Sequence, residues 1–156
     1  MGNYSSRNIG SKIKTAASGS GSLTAAGAGD AAEVTGAGFD RMAAGGGGFL
    51  SAVLAVWAKA VQAGATTLKM TVKIEHADDS GFSVNLTSVT LSAAAPGDTI
   101  VTGAGTKEGT LEYDVNLSSL RRYVRLKVTP DLSAAGVDTA TWAAGFIMGG
   151  ADQLPV

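Results

Sequence analysis

Polar and apolar residues alternate without a fault from Thr67 to Glu75 (TLKMTVKIE). Leu68, Met70, Val72 and Ile74 point one way, and Thr67, Lys69, Thr71, Lys73 and Glu75 the other. Successive side chains of a strand project to opposite faces, so this period of two predicts a β-strand with one buried and one solvated face, as in an antiparallel sheet. The period recurs in Thr110–Leu117, with Leu111, Tyr113, Val115 and Leu117 on one side, and in Leu120–Thr129, with Val124, Leu126 and Val128 inward. It recurs again in Thr139–Met148, where Ala140, Trp142, Ala144, Phe146 and Met148 share a face. Pro130 has no N–H for a ladder and is expected to end the strand before it, as Gly149 and Gly150 end the last one.

The breaks between these segments carry turn chemistry. Asp78-Asp79-Ser80-Gly81 and Pro96-Gly97-Asp98 combine short polar side chains, glycine and proline. Phe82 opens a further apolar-polar stretch to Leu91, Thr99–Thr102 reads as a short strand, and Thr102–Gly109 (TGAGTKEG) as a glycine-punctuated loop. One segment is ambiguous: in FLSAVLAVWAKAVQ, Phe49, Leu50, Val53, Leu54, Trp57 and Val61 fit a helical stripe, whereas Leu50, Ala52, Leu54, Val56, Ala58 and Ala60 fit one face of a strand. Four preceding glycines offer no N-cap, and Gly64-Ala65 makes a short turn into the next strand, which favours a strand over 49–62. The total is about seven or eight short strands with no convincing helix between them, the pattern of an all-β antiparallel sandwich or jelly roll.

The first 48 residues read differently. They are rich in Gly, Ala, Ser and Thr, hold few large apolar residues and close on Gly45–Gly48. Such a segment cannot build a core of its own, so residues 1–48 are expected to form a flexible or extended arm, with a short strand near Ala31–Thr35, ahead of a β-sandwich domain over 49–156. Every charged side chain before Asp30 is positive: Arg7, Lys12 and Lys14. The arm is either a solvated tail or a segment that orders on an acidic partner surface.

Composition narrows the classes of function. A chain of 156 residues fits one domain. Its 22 glycines and many alanines make a core that is thin per residue. A net charge of -1 argues against nucleic acid as partner, and the absence of cysteine excludes disulfides and thiolate metal sites. The apolar run Phe49–Val61 contains Lys59 and is too short to span a bilayer, so the chain is expected to be soluble, without a membrane partner.

Candidate chemistry is sparse. His76 stands near Glu75, Asp78 and Asp79, a set that could ligate a metal. Glu75 and His76 are strand neighbours and point to opposite faces, so a histidine at a strand end followed by a turn is the better reading, and no metal site is expected. With one histidine and no serine placed beside it, no enzyme is expected either. Neither GAGTKEG nor AAGGGGF has the spacing of a phosphate-binding loop. Arg121, Tyr123, Arg125 and Lys127 form a basic stripe, either a solvated face paired with acids such as Glu112 and Asp114 or a docking face for an acidic partner. Trp57, Trp142 and Phe146 are expected to be buried.

The order of a long apolar strand, then AGATTLKMTVKIEHADDSGF, then LEYDVNLSSLRRYVRLKVT, a short Gly-containing loop and a closing apolar strand into GGADQLP resembles small virion proteins of tailed bacteriophages. In particular it is similar to their jelly-roll capsid cement or decoration proteins, in which a strand, a hydrophilic DD turn and a strand precede an RRYVRL-like strand. The resemblance covers Phe49 to Pro155. It implies a structural protein without cofactor that sits on the outer capsid surface of a virion after synthesis in the host cytoplasm. There it would bridge subunits of the major capsid protein, as a homo-oligomer, dimer or trimer. Candidates for shell contact are Arg7, Lys12, Lys14, Arg121, Tyr123, Arg125 and Lys127. The rival is a carbohydrate- or receptor-binding module of a phage tail or fibre, which needs exposed aromatic rings. A hydrolase built around His76 comes third.

Overall fold

The computed structural model describes residues 13–43, 48–133 and 136–150. Strands β1 (Lys14–Thr24), β10 (Thr139–Gly149), β4 (Ser51–Gln62) and β8 (Gly105–Asn116) form a four-stranded sheet in that order. The second sheet runs β2 (Val34–Thr35), β9 (Tyr123–Leu132), β5 (Thr67–Ala77), β6 (Thr87–Thr90), with β3 (Phe39–Asp40) also on β9 and β7 (Asp98–Thr102) also on β5. All pairings are antiparallel.

Because β9 and β5 pair with each other, β2 and β3 lie in line along the far flank of β9, and β6 and β7 along the far flank of β5. Counting each in-line pair as one interrupted strand reduces the ten strands of the described residues to eight. In chain order the sheets then read 1-8-3-6 and 2-7-4-5. That is the double-sheet jelly roll, in which the first and last strands are neighbours in one sheet.

The core lies between the sheets. Leu54 and Val56 of β4 with Phe146 of β10 meet Leu68, Met70, Val72 and Ile74 of β5 and Val124, Leu126 and Val128 of β9, all essentially inaccessible to water. Each such side chain contributes about 1.5–3 kcal/mol on burial. The ambiguous segment 49–62 is a strand, its inward face being Ala52, Leu54, Val56, Ala58 and Ala60.

The sandwich begins at Lys14 and not at Phe49, which corrects the expected boundary at residue 48. β1 pairs with β10 along its length, Leu23 and Ala25 enter the core, and Phe39 packs edge-on against Phe146 with ring centroids 5.0 Å apart. The low-complexity run is a strand because its inner positions must be small. A Cβ on Gly21 would lie 2.9 Å from the indole nitrogen of Trp142, which fills that space. The expected strand at Ala31–Thr35 shrinks to Val34–Thr35, and the stretch from Phe82 to Leu91 contributes only Thr87–Thr90.

Two other strand limits also differ. β9 runs through Pro130 to Leu132, and Pro130 is fully buried. Its carbonyl accepts the Ala31 N–H at 2.9 Å on the flank away from β5. A strand residue's N–H and C=O share a flank in antiparallel pairing, so the missing N–H falls beyond the end of β2, where no strand requires it. β8 starts at Gly105, so most of TGAGTKEG is strand. Gly109 admits β7 at close range, since a Cβ there would lie 1.9 Å from the Ile100 carbonyl oxygen.

Candidate functional site

The outer face of the six-stranded sheet carries the basic stripe. Outward positions of β9 place Tyr123, Arg125 and Lys127 in a row, and Arg121 precedes them in the connection from β8. Register sets their partners. Glu75 of β5 lies directly opposite Arg125 and holds it at 2.7 Å, while Lys127 approaches Glu75 at 3.3 Å and Glu33 at 2.7 Å. Lys73 also reaches Glu33, at 3.4 Å. Phe82 from the β5–β6 loop stacks over the Arg125 guanidinium, 4.2 Å from its ring centroid, and Glu75 is buried. Hydrogen bonding by Lys127 holds the Glu33 carboxyl below its ordinary range, and Glu33 in turn raises Lys127.

Arg121 and Arg122 are also engaged. Arg121 places Nη1 3.0 Å from both oxygens of Asp78, and Arg122 binds Asp40 through Nε and Nη2 at 2.8–3.1 Å. The charge of the stripe is thus met within the chain, by Glu33, Glu75, Asp78 and Asp40. The expected partners Glu112 and Asp114 are a correction: they stand on β8, in the opposite sheet, facing Ala55 and Val53 across the ladder. Of the arm residues, Lys14 begins β1 and is exposed, while Arg7 and Lys12 lie outside the described residues.

His76 is a buried strand-end residue. Its Nδ1 accepts the backbone N–H of Arg121 at 3.2 Å, so the ring is neutral with its proton on Nε2. Burial, helped by Arg121 and Arg41, lowers its pKa below the usual 6.5. Asp79 accepts the N–H groups of Ser83 and Val84 at 2.9 and 2.7 Å, and Asp78 accepts the Asn85 amide at 2.7 Å. These carboxylates organise the loop. Phe82 and Asn85, rather than Gly81, adopt positive φ there. Among the described residues no group of three or more His, Asp or Glu side chains is placed to hold a metal ion.

The outer face of the four-stranded sheet mixes small residues with Val53, Lys59, Val61, Glu108, Glu112 and Ile147, and its largest side chain is Trp57. Inward Leu54, Val56 and Ala58 put Trp57 outward, where the residue is 46% exposed while Trp142 is 5% exposed. The expectation of two buried tryptophans therefore holds for Trp142 alone. Ala143 of β10 and Thr110 of β8 flank Trp57 across the ladder; one pair along, Thr141 and Glu108 flank Lys59. Because Ala143 is small and Trp57 large, the surface sinks into a depression of about 570 Å³. Lys59 and Glu108 approach each other at 3.6 Å on its rim.

No protein-family model matches the chain, and no curated protein matches it. Several solved structures resemble it in fold. A structure of the infectious bursal disease virus Gx strain aligns with a TM-score of 0.48 at 11% identity, over 92% of this chain and 34% of that one. The VP2 subviral particle of infectious bursal disease virus gives 0.48 at 10%, over 91% and 33%. The Clostridium thermocellum xylanase 10B CBM22-1–GH10 modules complexed with xylohexaose give 0.37 at 11%, over 94% and 27%. The chain spans about a third of the length of the two viral chains. At these scores and identities the likeness carries no argument about function.

Proposed function

We propose that this chain is a structural virion protein that decorates a bacteriophage capsid and bridges subunits of the major capsid protein on its outer surface. The reading starts from the resemblance of Phe49–Pro155 to jelly-roll cement proteins. The observation that supports it most is the strand order, 1-8-3-6 over 2-7-4-5, which is the topology that resemblance implies. Fold alone does not fix function, so the surfaces must supply the rest. A decoration protein needs a stiff scaffold and a face that matches a lattice, and repetition over that lattice multiplies a modest affinity through effective concentration.

Shell contact is assigned to Lys14 at the start of β1, to Arg7 and Lys12 ahead of it, and to the row Arg121, Tyr123, Arg125 and Lys127. Since the row's cations already hold carboxylates, docking there would share or exchange ion pairs and not simply neutralise free charge. Co-sedimentation of the purified chain with shells assembled from the major capsid protein of the same virus tests the reading. Binding that saturates at a fixed ratio per capsid subunit supports it. Absence of the chain from the pelleted shells at every concentration rejects it.

A further inference from the structure

We infer that the depression around Trp57 is a saccharide-binding site, taking a neutral sugar whose pyranose ring presents an apolar C–H face, as gluco- and galacto-configured sugars do. This goes beyond the capsid reading and stands without it. The site lies on the outer face of the four-stranded sheet, whereas the basic row lies on the outer face of the other sheet, so the two occupy opposite sides of the sandwich.

Three observations carry the assignment. The first is Trp57 itself: a residue with a rigid indole, 46% exposed, is the largest side chain on a sheet face that also presents Val53, Val61 and Ile147, and it gives a ligand a flat apolar platform. A flat aromatic ring covers an apolar face with little loss of conformational freedom. The second is shape: about 570 Å³ falls within the range of small-molecule sites, and Ala143 leaves one flank of the ring open.

The third is the chemistry of the rim. Thr110 and Thr141 line the depression, and Ser20 and Ser22 of β1 continue the row beyond Ala143 and Thr141. Each hydroxyl both donates and accepts, which matches the mixed donors and acceptors of a sugar's own hydroxyls. The two charged residues of the lining, Lys59 and Glu108, face each other, so the rim is neutral overall and suits an uncharged ligand better than an acidic or basic peptide.

The test uses the whole chain, titrated with lactose, cellotetraose and maltotetraose, and followed by tryptophan emission and calorimetry. At least one sugar should bind saturably and perturb the emission. Trp57→Ala should weaken that binding about tenfold or more at unchanged melting temperature, since the side chain supports no core, and Trp57→Phe should retain part of it. Thr110→Ala and Thr141→Ala should each cost less. The proposal is wrong if none of the three sugars binds saturably, or if Trp57→Ala binds as well as the parent chain. It is equally wrong if native mass shows a dimer that Trp57→Ala dissociates while no sugar binds, which would make the face a self-contact. Shell binding is read separately, so failure of either proposal leaves the other standing.

Discussion

Gly21 of β1 sits against the indole of Trp142 on β10, so closely that a Cβ on Gly21 would lie 2.9 Å from the ring nitrogen. A ring held at 5% exposure cannot swing aside as a flexible chain end could. Gly21→Ala should therefore destabilise by about 1–3 kcal/mol, as overpacking does, seen as a lower urea midpoint at unchanged slope. In a Trp142→Phe background the same substitution should cost less, and the difference is the coupling of the pair. Equal costs in both backgrounds would mean that the two residues do not meet.

Truncation separates arm from domain. Removing residues 1–12 should leave the melting temperature within a few degrees, since β1 is intact. Removing residues 1–24 strips β10 of β1, one of its two neighbours, and takes Leu23 from the core, and should abolish cooperative melting. Circular dichroism of both truncations checks this. If both fold alike, the boundary at residue 48 was right after all.

Glu75 is the shared anchor of Arg125 and Lys127 on the outer face of the six-stranded sheet. Glu75→Gln keeps the shape and leaves two half-buried cations beside a neutral amide, at a cost of about 2 kcal/mol. Glu112→Gln, on the other sheet, should stay within about 0.5 kcal/mol. Urea denaturation of the two variants distinguishes this pairing from one that uses Glu112.

His76 makes stability depend on pH. Its folded pKa lies below 6.5, mainly through burial and then through Arg121, with Arg41 acting in the same sense and Asp78 opposing. The unfolded chain therefore takes up the proton first, and stability, complete above about pH 6.5, falls as pH drops below it. His76→Asn offers an amide oxygen to the Arg121 N–H without titrating, and should flatten the melting-temperature profile between pH 6.5 and 5. A second loss should begin below about pH 4.5 and survive in that variant. There Glu33, Asp40 and Asp78, all held below their ordinary pKa by basic and amide partners, become protonated.

The interior strands were legible because period two is unambiguous when one face is buried: Leu68 to Ile74 and Ala140 to Met148 point inward as their alternation requires. Where inner residues are small because a neighbour is large, the signal vanishes. Gly19 and Gly21 look like linker until Trp142 is known to lie over them, and Gly109 looks like loop until Ile100 is known to approach it. Pro130 misled because the rule concerns the flank its N–H would face, which a single strand cannot reveal. Trp57 could have been found. Once Leu54, Val56 and Ala58 are inward, the odd positions of 51–61 lie on the opposite face, and a tryptophan there is exposed.

Ion-pair partners on the six-stranded sheet were legible only in kind. Charge balance predicted that the basic row would meet carboxylates, but the choice of Glu75, Glu33 and Asp78 over Glu112 and Asp114 depends on which strands adjoin β9, a long-range fact of topology.

Capsid decoration is tested most directly by cryo-microscopy of shells of the same virus, incubated with the purified chain at saturating concentration. A sandwich-sized density is expected at regular lattice positions, bridging adjacent subunits, with the Trp57 face turned to solvent. Bare shells, or density with the Trp57 face against the capsid, would contradict it.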